Sequence, residues 1–559
     1  MLALSSYQPP TFHIKSVQVQ FVANSSSLPT APTSTEPKIY YISQIGDDKN
    51  TGTSSNSPWK SLSKINSLDL NPGDQILLEG GYSYDANLKF TQEDAGTTTA
   101  PIIISSYGSG KAVINAGTGT GITVYNAAGY QISNLIIVGS GTSSNNGNGI
   151  NFYNDLANNT KLDYINISNV DVSGFKDSGI KIGSWNKNSG YRNVTITNTI
   201  THDNGISGLM TYAELPNSHE NVYVGYVQAY KNFGLRGVWI GSGSGIVLGG
   251  VNTGIIERSI AYDNGKFDNT GPGPVGIWTY DSNNILIQYN ESYHNGTGGL
   301  LDGDGFDLDQ NVSDSIMQYN YSHDNDGAGY LLCQGLDNYE HKNNTVRYNI
   351  SENDGRKNDY GAIEVYGRIM NAEVYNNTIF VSPSTTGNPK AVRIENISAP
   401  TWDVQGLHLR NNIFQTTNGV KLVEVSSDQL NGAKDLLFQG NNYYSTGEAF
   451  NITWGNVTYN SLTNWQAATN QEILSSENVG LNVDPKLLNP GGGGIMGNTD
   501  NLASLNAYTL KPNSPLINRG LNLNLLFKIN VGTRDFYGST LPQGSGYDLG
   551  AYESVNPKN

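Results

Sequence analysis

One cysteine, Cys333, occurs in 559 residues, so no disulfide can form within the chain. A large repetitive core needs no such staples, so this scarcity does not place the protein in the cytosol. Charge is also sparse, at 14% of residues, and 48 acidic against 32 basic side chains leave a net charge of −16. That balance excludes the basic footprint of a nucleic-acid or anionic-membrane binder. It would also repel a polyanionic substrate unless a basic patch or a metal ion intervened, which makes a neutral partner the simpler expectation. No run of about 18 or more apolar residues exists, so no membrane-spanning helix is expected. Nor does any window keep apolar residues at i, i+3, i+4 and i+7 for more than about three turns, so helix should be scarce.

What is abundant is turn and strand chemistry: 65 Gly and 34 Tyr, with many Asn, Ser and Thr. A short phrase recurs every 24 to 39 residues, a small residue followed by apolar and outward positions in alternation. It reads Ile150-Asn151-Phe152-Tyr153, Ile180-Lys181-Ile182-Gly183, Leu209-Met210-Thr211-Tyr212, Val238-Trp239-Ile240-Gly241 and Ile277-Trp278-Thr279-Tyr280. It continues as Phe306-Asp307-Leu308-Asp309, Tyr330-Leu331-Leu332-Cys333, Ile363-Glu364-Val365-Tyr366 and Val392-Arg393-Ile394-Glu395. Period-two alternation marks half-buried strands, and recurrence at this interval marks stacked repeats. Polar corners such as His202-Asp203-Asn204-Gly205 and His323-Asp324-Asn325-Asp326-Gly327 close each coil. There Asn-Gly and Asp-Gly supply positive φ, and stacked Asn side chains can bond along the column. His294 and His323 fall at such corners and read as turn residues, and Cys333 as a small apolar group.

Both ends carry a resemblance. Gly46-Asp47-Asp48-Lys49-Asn50-Thr51-Gly52-Thr53, Pro58-Trp59-Lys60-Ser61-Leu62 and Asn71-Pro72-Gly73-Asp74 resemble the opening of secreted right-handed parallel β-helix proteins of the pectate-lyase-like superfamily. Asp484-Pro485-Lys486-Leu487, Lys511-Pro512-Asn513-Ser514-Pro515 and Tyr547-Asp548-Leu549-Gly550-Ala551-Tyr552-Glu553 resemble their closing segment. The resemblance implies an all-β fold, a right-handed single-stranded parallel β-helix with a short N-terminal helical cap and an irregular C-terminal segment. It also implies an extracellular, secreted protein. The expected organisation is a Ser/Thr/Pro-rich flexible lead (1–37), a cap with the first coils (38–98), the core carrying the active face (99–445), and C-terminal coils with the closing segment (446–559). Fourteen Asn-X-Ser/Thr sequons occur. In an Asn-rich chain many must lie inside the stack, so they are weak evidence for a glycoprotein.

If the phrases stack, their outward positions form a column that holds Trp and Tyr beside carboxylates. Neighbouring coils lie about 4.8 Å apart, so this row spans a few sugar rings. Asp307, Asp309 and Glu364 are the candidate catalytic carboxylates, because like charges stacked on strands are unfavourable without a role. Asp307 and Glu364, two coils apart, would suit a glycosidase pair. Trp239, Trp278, Tyr280, Tyr366, Arg393 and Asp304 are the candidate substrate contacts, with Arg393 as a carboxylate partner for Glu364. Asp302 and Asp304 sit in a Gly-rich turn where Asp is a good turn former.

Three readings follow. The first is a secreted glycoside hydrolase acting on xylan or another cell-wall polysaccharide, similar to β-helix xylanases, xylosidases or fucosidases. It requires no cofactor or metal and works as a monomer. The second is a lyase or uronate epimerase with Ca²⁺ on Asp281, Asp302, Asp304, Asp307 and Asp309. The third is a non-enzymatic glycan-binding surface protein.

Overall fold

The computed structural model describes residues 36–238, 241–270, 273–335, 339–396, 403–447 and 450–554. Nearly all of the expected flexible lead therefore lies outside the described residues. From Ile39 to Tyr459 the chain winds as coils, each laying one strand on each of three long sheets. Sheet A has 15 strands, from Ile39–Ile42 to Lys434–Gln439. Sheet B has 13, from Ser83–Asp85 to Asn442–Thr446. Sheet C has 14, from Leu88–Phe90 to Val457–Tyr459. Every pairing along the three stacks is parallel up to a final antiparallel turn at Ile452–Trp454. The fold is the expected parallel β-helix.

Alternation explains the interior. In sheet C, Ile150, Ile180, Leu209, Ile246, Ile277, Phe306, Tyr330, Ile363, Val392 and Val423 stack in one column and have no exposed surface. A one-residue slip would turn this entire column outward, so the register is strongly set.

The corners are built from amides. Between sheets A and B, Asn290, Asn320, Asn349, Asn377, Asn412 and Asn441 form a buried ladder. The backbone N–H of each donates to the side-chain oxygen of the next at 2.9–3.1 Å. Asn204, Asn232, Asn264, Asn295 and Asn325 form a second ladder between sheets B and C. Each ladder ends on a carboxylate, Glu472 in the first and Asp354 in the second. In the second ladder the left-handed backbone falls one residue before each amide, at Asp203, Lys231, Asp263, His294 and Asp324, and again at Asn353 before the closing carboxylate Asp354. The amide itself is held by its own hydrogen bonds. Asn290, Asn320 and Asn349 are sequons whose side chains are committed to the ladder, so they cannot carry glycans. Asn349→Ala should remove about 3 kcal/mol of stability, because several buried partners lose their bonds together; a lowered urea midpoint at unchanged m-value would report it.

His294 is a turn residue with φ 52°. His323 is not a corner residue: it is fully buried on a sheet B strand, between Glu291 at 3.3 Å and Asp324 at 3.0 Å.

Both ends of the stack are covered, as exposed strand edges require. The N-terminal cap is a 3-10 helix, Leu62–Ser67, which buries Leu62 and Ile65. At the other end the helix Leu462–Thr469 sets Trp465 against Phe438, Tyr443 and Trp454. The closing segment then runs back along the outside of the coils rather than adding to them. Leu521, Ala551, Gly493, Met496 and Asp500 meet Asn411, Thr378, Glu352, Glu291 and Arg258 respectively.

Candidate functional site

Sheet C aligns the outward positions as Asn151, Lys181, Met210, Val247, Trp278, Asp307, Leu331, Glu364, Arg393 and Glu424. The expected registration of Trp278, Asp307 and Glu364 is present. One position differs: the strand of that coil is Ser244–Gly249, and Val247 occupies the place expected for Trp239. Trp239 lies outside the described residues. All six residues of Ser244–Gly249 are buried, so the segment carries no alternation, and the outwardly alternating Val238–Gly241 matched the repeat better.

Outward here does not mean exposed. Asp304, Asp307 and Glu364 keep 0%, 3% and 1% of their surface, because loops cross this side of the sheet. Loops 296–303 and 355–360 buttress each other across the intervening coil. Lys357 donates to the Thr297 carbonyl, Asn358 to the Gly299 carbonyl at 3.4 Å, and the Asp302 N–H to the Tyr360 hydroxyl at 2.6 Å.

Four carboxylates come from one stretch of chain. Asp304 opens the strand Asp304–Leu308 and Asp307 lies within it. Asp309 follows its end, half-buried, and its N–H donates to the Thr279 carbonyl at 3.0 Å. Asp302 precedes the strand in a left-handed conformation, φ 55°, followed by Gly303 at φ 90°. Asp tolerates that region better than most residues. Its carboxylate accepts from the Gly273 N–H at 2.7 Å and the Tyr360 hydroxyl at 3.2 Å.

Their environments separate these acids. Burial raises Asp302, and the donors Gly273 and Tyr360 oppose the rise. Burial pushes Asp309 up to about 7 against the Gln310 N–H and Cys333, with Asp302 and Asp281 adding to the rise. Asp304 and Asp307 are raised well above their ordinary value, through burial first and then neighbouring carboxylates. Asp307 Oδ1 and Asp304 Oδ2 are buried without a hydrogen-bond partner, which favours the neutral form of both. Glu364 is likewise held well above its ordinary value by burial, despite Arg393. The Arg393 guanidinium is shared among Glu395, Asp359 at 3.2 Å and Glu364 at only 3.4 Å. Burial thus raises all five acids: Asp309 to about 7, Asp304, Asp307 and Glu364 well above their ordinary values, and Asp302 against the pull of its two donors.

Trp278 and Tyr280 lie together, ring centroids 5.2 Å apart, with the indole N–H on Ser244 Oγ at 3.0 Å. Tyr366 stands over Cys333, its pairing partner, with its hydroxyl pushed up to about 12 by burial and by Cys333. Cys333 accepts from Gln310 Nε2 at 3.7 Å, so it is a polar neighbour of Asp309, not mere apolar filling. Asp281 is turned to Asn311 Nδ2 at 2.9 Å and Asp302 to Tyr360. Among the described residues no three His, Cys, Asp or Glu side chains converge as metal ligands, so the acid set named for Ca²⁺ does not meet at one point. Asp302, read from the sequence as a turn former, and Tyr360, which carried no signal there, are the additions the structure makes.

No protein-family model matches the chain. Among curated proteins it is 26% identical over 494 residues to a lacto-N-biosidase of Bifidobacterium longum subsp. longum, an alignment taking in 71% of this chain and 30% of that protein. The chain is similar to a lacto-N-biosidase. It spans under a third of that relative's length. Among solved structures, the GH136 lacto-N-biosidase from Eubacterium ramulus is 21% identical with a TM-score of 0.49, covering 66% of this chain and 68% of that one. A pectate lyase, Pel9A, is 16% identical with a TM-score of 0.36 over 93% and 97% of the two chains.

Proposed function

We propose that this chain is a glycoside hydrolase that cleaves a glycan with Asp309 as general acid and Asp302 as the ionised carboxylate. The observation that carries the reading is the different hydrogen-bonded surroundings of these two half-buried acids. Asp309 keeps a proton to about 7, while two donors hold Asp302. Glycoside cleavage needs one carboxyl that keeps its proton and one whose ionised form is met by donors. Asp309 protonates the leaving oxygen, and Asp302 stabilises the positive charge that builds at the anomeric carbon. Asp307 and Glu364, the pair expected from the sequence, act in this reading as neutral donors to sugar hydroxyls, with Trp278 and Tyr280 as a stacking floor.

Similarity to a lacto-N-biosidase makes glycosides of lacto-N-biose the first substrates to test, ahead of xylan. The experiment is release of the disaccharide from a chromogenic lacto-N-biose glycoside, with xylan and a chromogenic xyloside in parallel. Turnover of none of these, with no other neutral glycan cleaved, would end the hydrolase reading. The pH dependence follows from the same two groups. Asp309 works protonated, so kcat/KM should fall as pH rises through about 7. Asp302 works ionised, so kcat/KM should also fall as pH drops through a value above that of an ordinary aspartate. A kcat/KM that still climbs between about pH 7 and 9 would contradict Asp309 as the acid. We propose that the enzyme acts outside the cell as a monomer; no helix among the described residues is long and apolar enough to cross a membrane.

A further inference from the structure

A second hollow lies on another wall of the β-helix. Gln415 and Tyr444 are pairing partners on adjacent strands of sheet B. In the coil of Gln415 the sheet C strand is Lys421–Val425, four rungs beyond Asp304–Leu308. The closing segment passes over this surface and leaves a cavity of about 480 Å³, lined by Gln415, Tyr444, Thr446, Asp484, Lys486 and Lys511 among others. Leu488 and Asn489 on its wall also line a neighbouring hollow of about 280 Å³ that extends past Gly493 to Asn506. The larger hollow is a groove between the closing segment and the coils, and the smaller one is lined by the closing segment alone.

The groove holds an unanswered polar group. Gln415 is 5% exposed, and its side-chain oxygen is buried with no hydrogen-bond partner. Such an acceptor is costly unless a donor reaches it, and the cavity beside it has room for one. Next to it stands Tyr444, half-buried, with an aromatic face and a hydroxyl. Two lysines against one aspartate leave the rim with a single net positive charge, and the chain's charge of −16 disfavours a polyanion. An amide, hydroxyls, both signs of charge and one ring suit sugar hydroxyls on the edge and sugar C–H groups on the face.

We propose that this groove is an ancillary site for a neutral oligosaccharide, separate from the acid cluster. A site here would hold a glycan chain against the protein without taking part in its cleavage, and the assignment does not depend on the hydrolase reading.

The test uses the full chain carrying Asp309→Asn, so that no probe is turned over. Xylohexaose, chitohexaose and a lacto-series hexasaccharide are titrated by calorimetry and saturation-transfer NMR, with hexagalacturonate as the anionic comparator. At least one neutral hexasaccharide should bind. Adding Tyr444→Ala should weaken that binding at least tenfold, and adding Lys511→Ala or Asn513→Ala, both at exposed positions, at least threefold. The exposed pair keeps the test decisive if Tyr444→Ala fails to fold. Absence of binding by every neutral probe, binding unchanged in the groove variants, or binding of hexagalacturonate alone would overturn the proposal. Failure of the hydrolase reading would appear instead as a lack of turnover in the unaltered chain.

Discussion

Asp309→Asn is expected to lower kcat on a cleavable glycoside by about 10³-fold, the scale of a lost general acid. Asp302→Asn should cost as much or more, because an amide can neither carry the charge nor answer the developing cation. The cluster makes a sharper demand than these two losses. Burial holds Asp307 and Glu364 well above their ordinary values, which favours the neutral form, and an amide at either position imitates that neutral, donating form. Asp307→Asn and Glu364→Gln should therefore stay within about tenfold of the unaltered enzyme, with the change appearing mainly in KM. Steady-state kinetics on the four variants decide between the pairs. A 10³-fold loss in kcat for Glu364→Gln with Asp302→Asn nearly unaffected would return the assignment to the Asp307 and Glu364 pair.

The second large effect is on stability, and its sign runs against the common pattern of maximal stability near neutrality. Burial raises Glu472 to about 7, Glu553 to about 7, Asp354 to about 6 and Asp535 to about 6, and Asp309 to about 7 in the cleft. A raised carboxyl binds its proton more tightly in the folded chain than in the unfolded one. Stability from these groups is therefore fully present below about pH 4 and is lost as pH rises to about 7. Glu472 alone accounts for on the order of 3 kcal/mol across that span. Two buried histidines oppose the trend: burial lowers His219 and His341 to about 4, so they lose stability as pH falls from about 6.5 to 4. His323 adds to the trend, since Asp324 and Glu291 outweigh its burial and raise it to about 9. With five acids against two histidines, the thermal midpoint should peak between about pH 4 and 5 and fall by many degrees by pH 8. A midpoint that rises steadily from pH 5 to 8 would sink the prediction. Glu472→Gln, which keeps an acceptor for the Asn441 ladder without an ionisable proton, should flatten the decline.

The closing segment shows why some of this was legible and some was not. Its Asp484-Pro485 and Tyr547–Glu553 phrases marked an end to the coils, and they do end them. Nothing in those residues shows that the segment doubles back along sheets A and B to meet Arg258, Glu291 and Glu352. Such contacts join residues 141 to 242 positions apart, and local patterning carries no information over that range.

The sequence by itself determined the parallel β-helix, its coils of strand and polar corner, and the vertical alignment of Trp278, Asp307 and Glu364, while the third sheet appears only in the structure. Period-two alternation and a fixed repeat interval leave no other way to bury the apolar positions. Where alternation vanished, in the wholly buried Ser244–Gly249, the same logic picked the wrong neighbour. Only the tertiary structure decided which acids differ. That difference arises from loops that bring Tyr360 and the Gly273 N–H to Asp302, while one buried oxygen of each of Asp304 and Asp307 is left without a partner. The strength of a carboxylic acid depends on what surrounds it, and here the surroundings come from other coils.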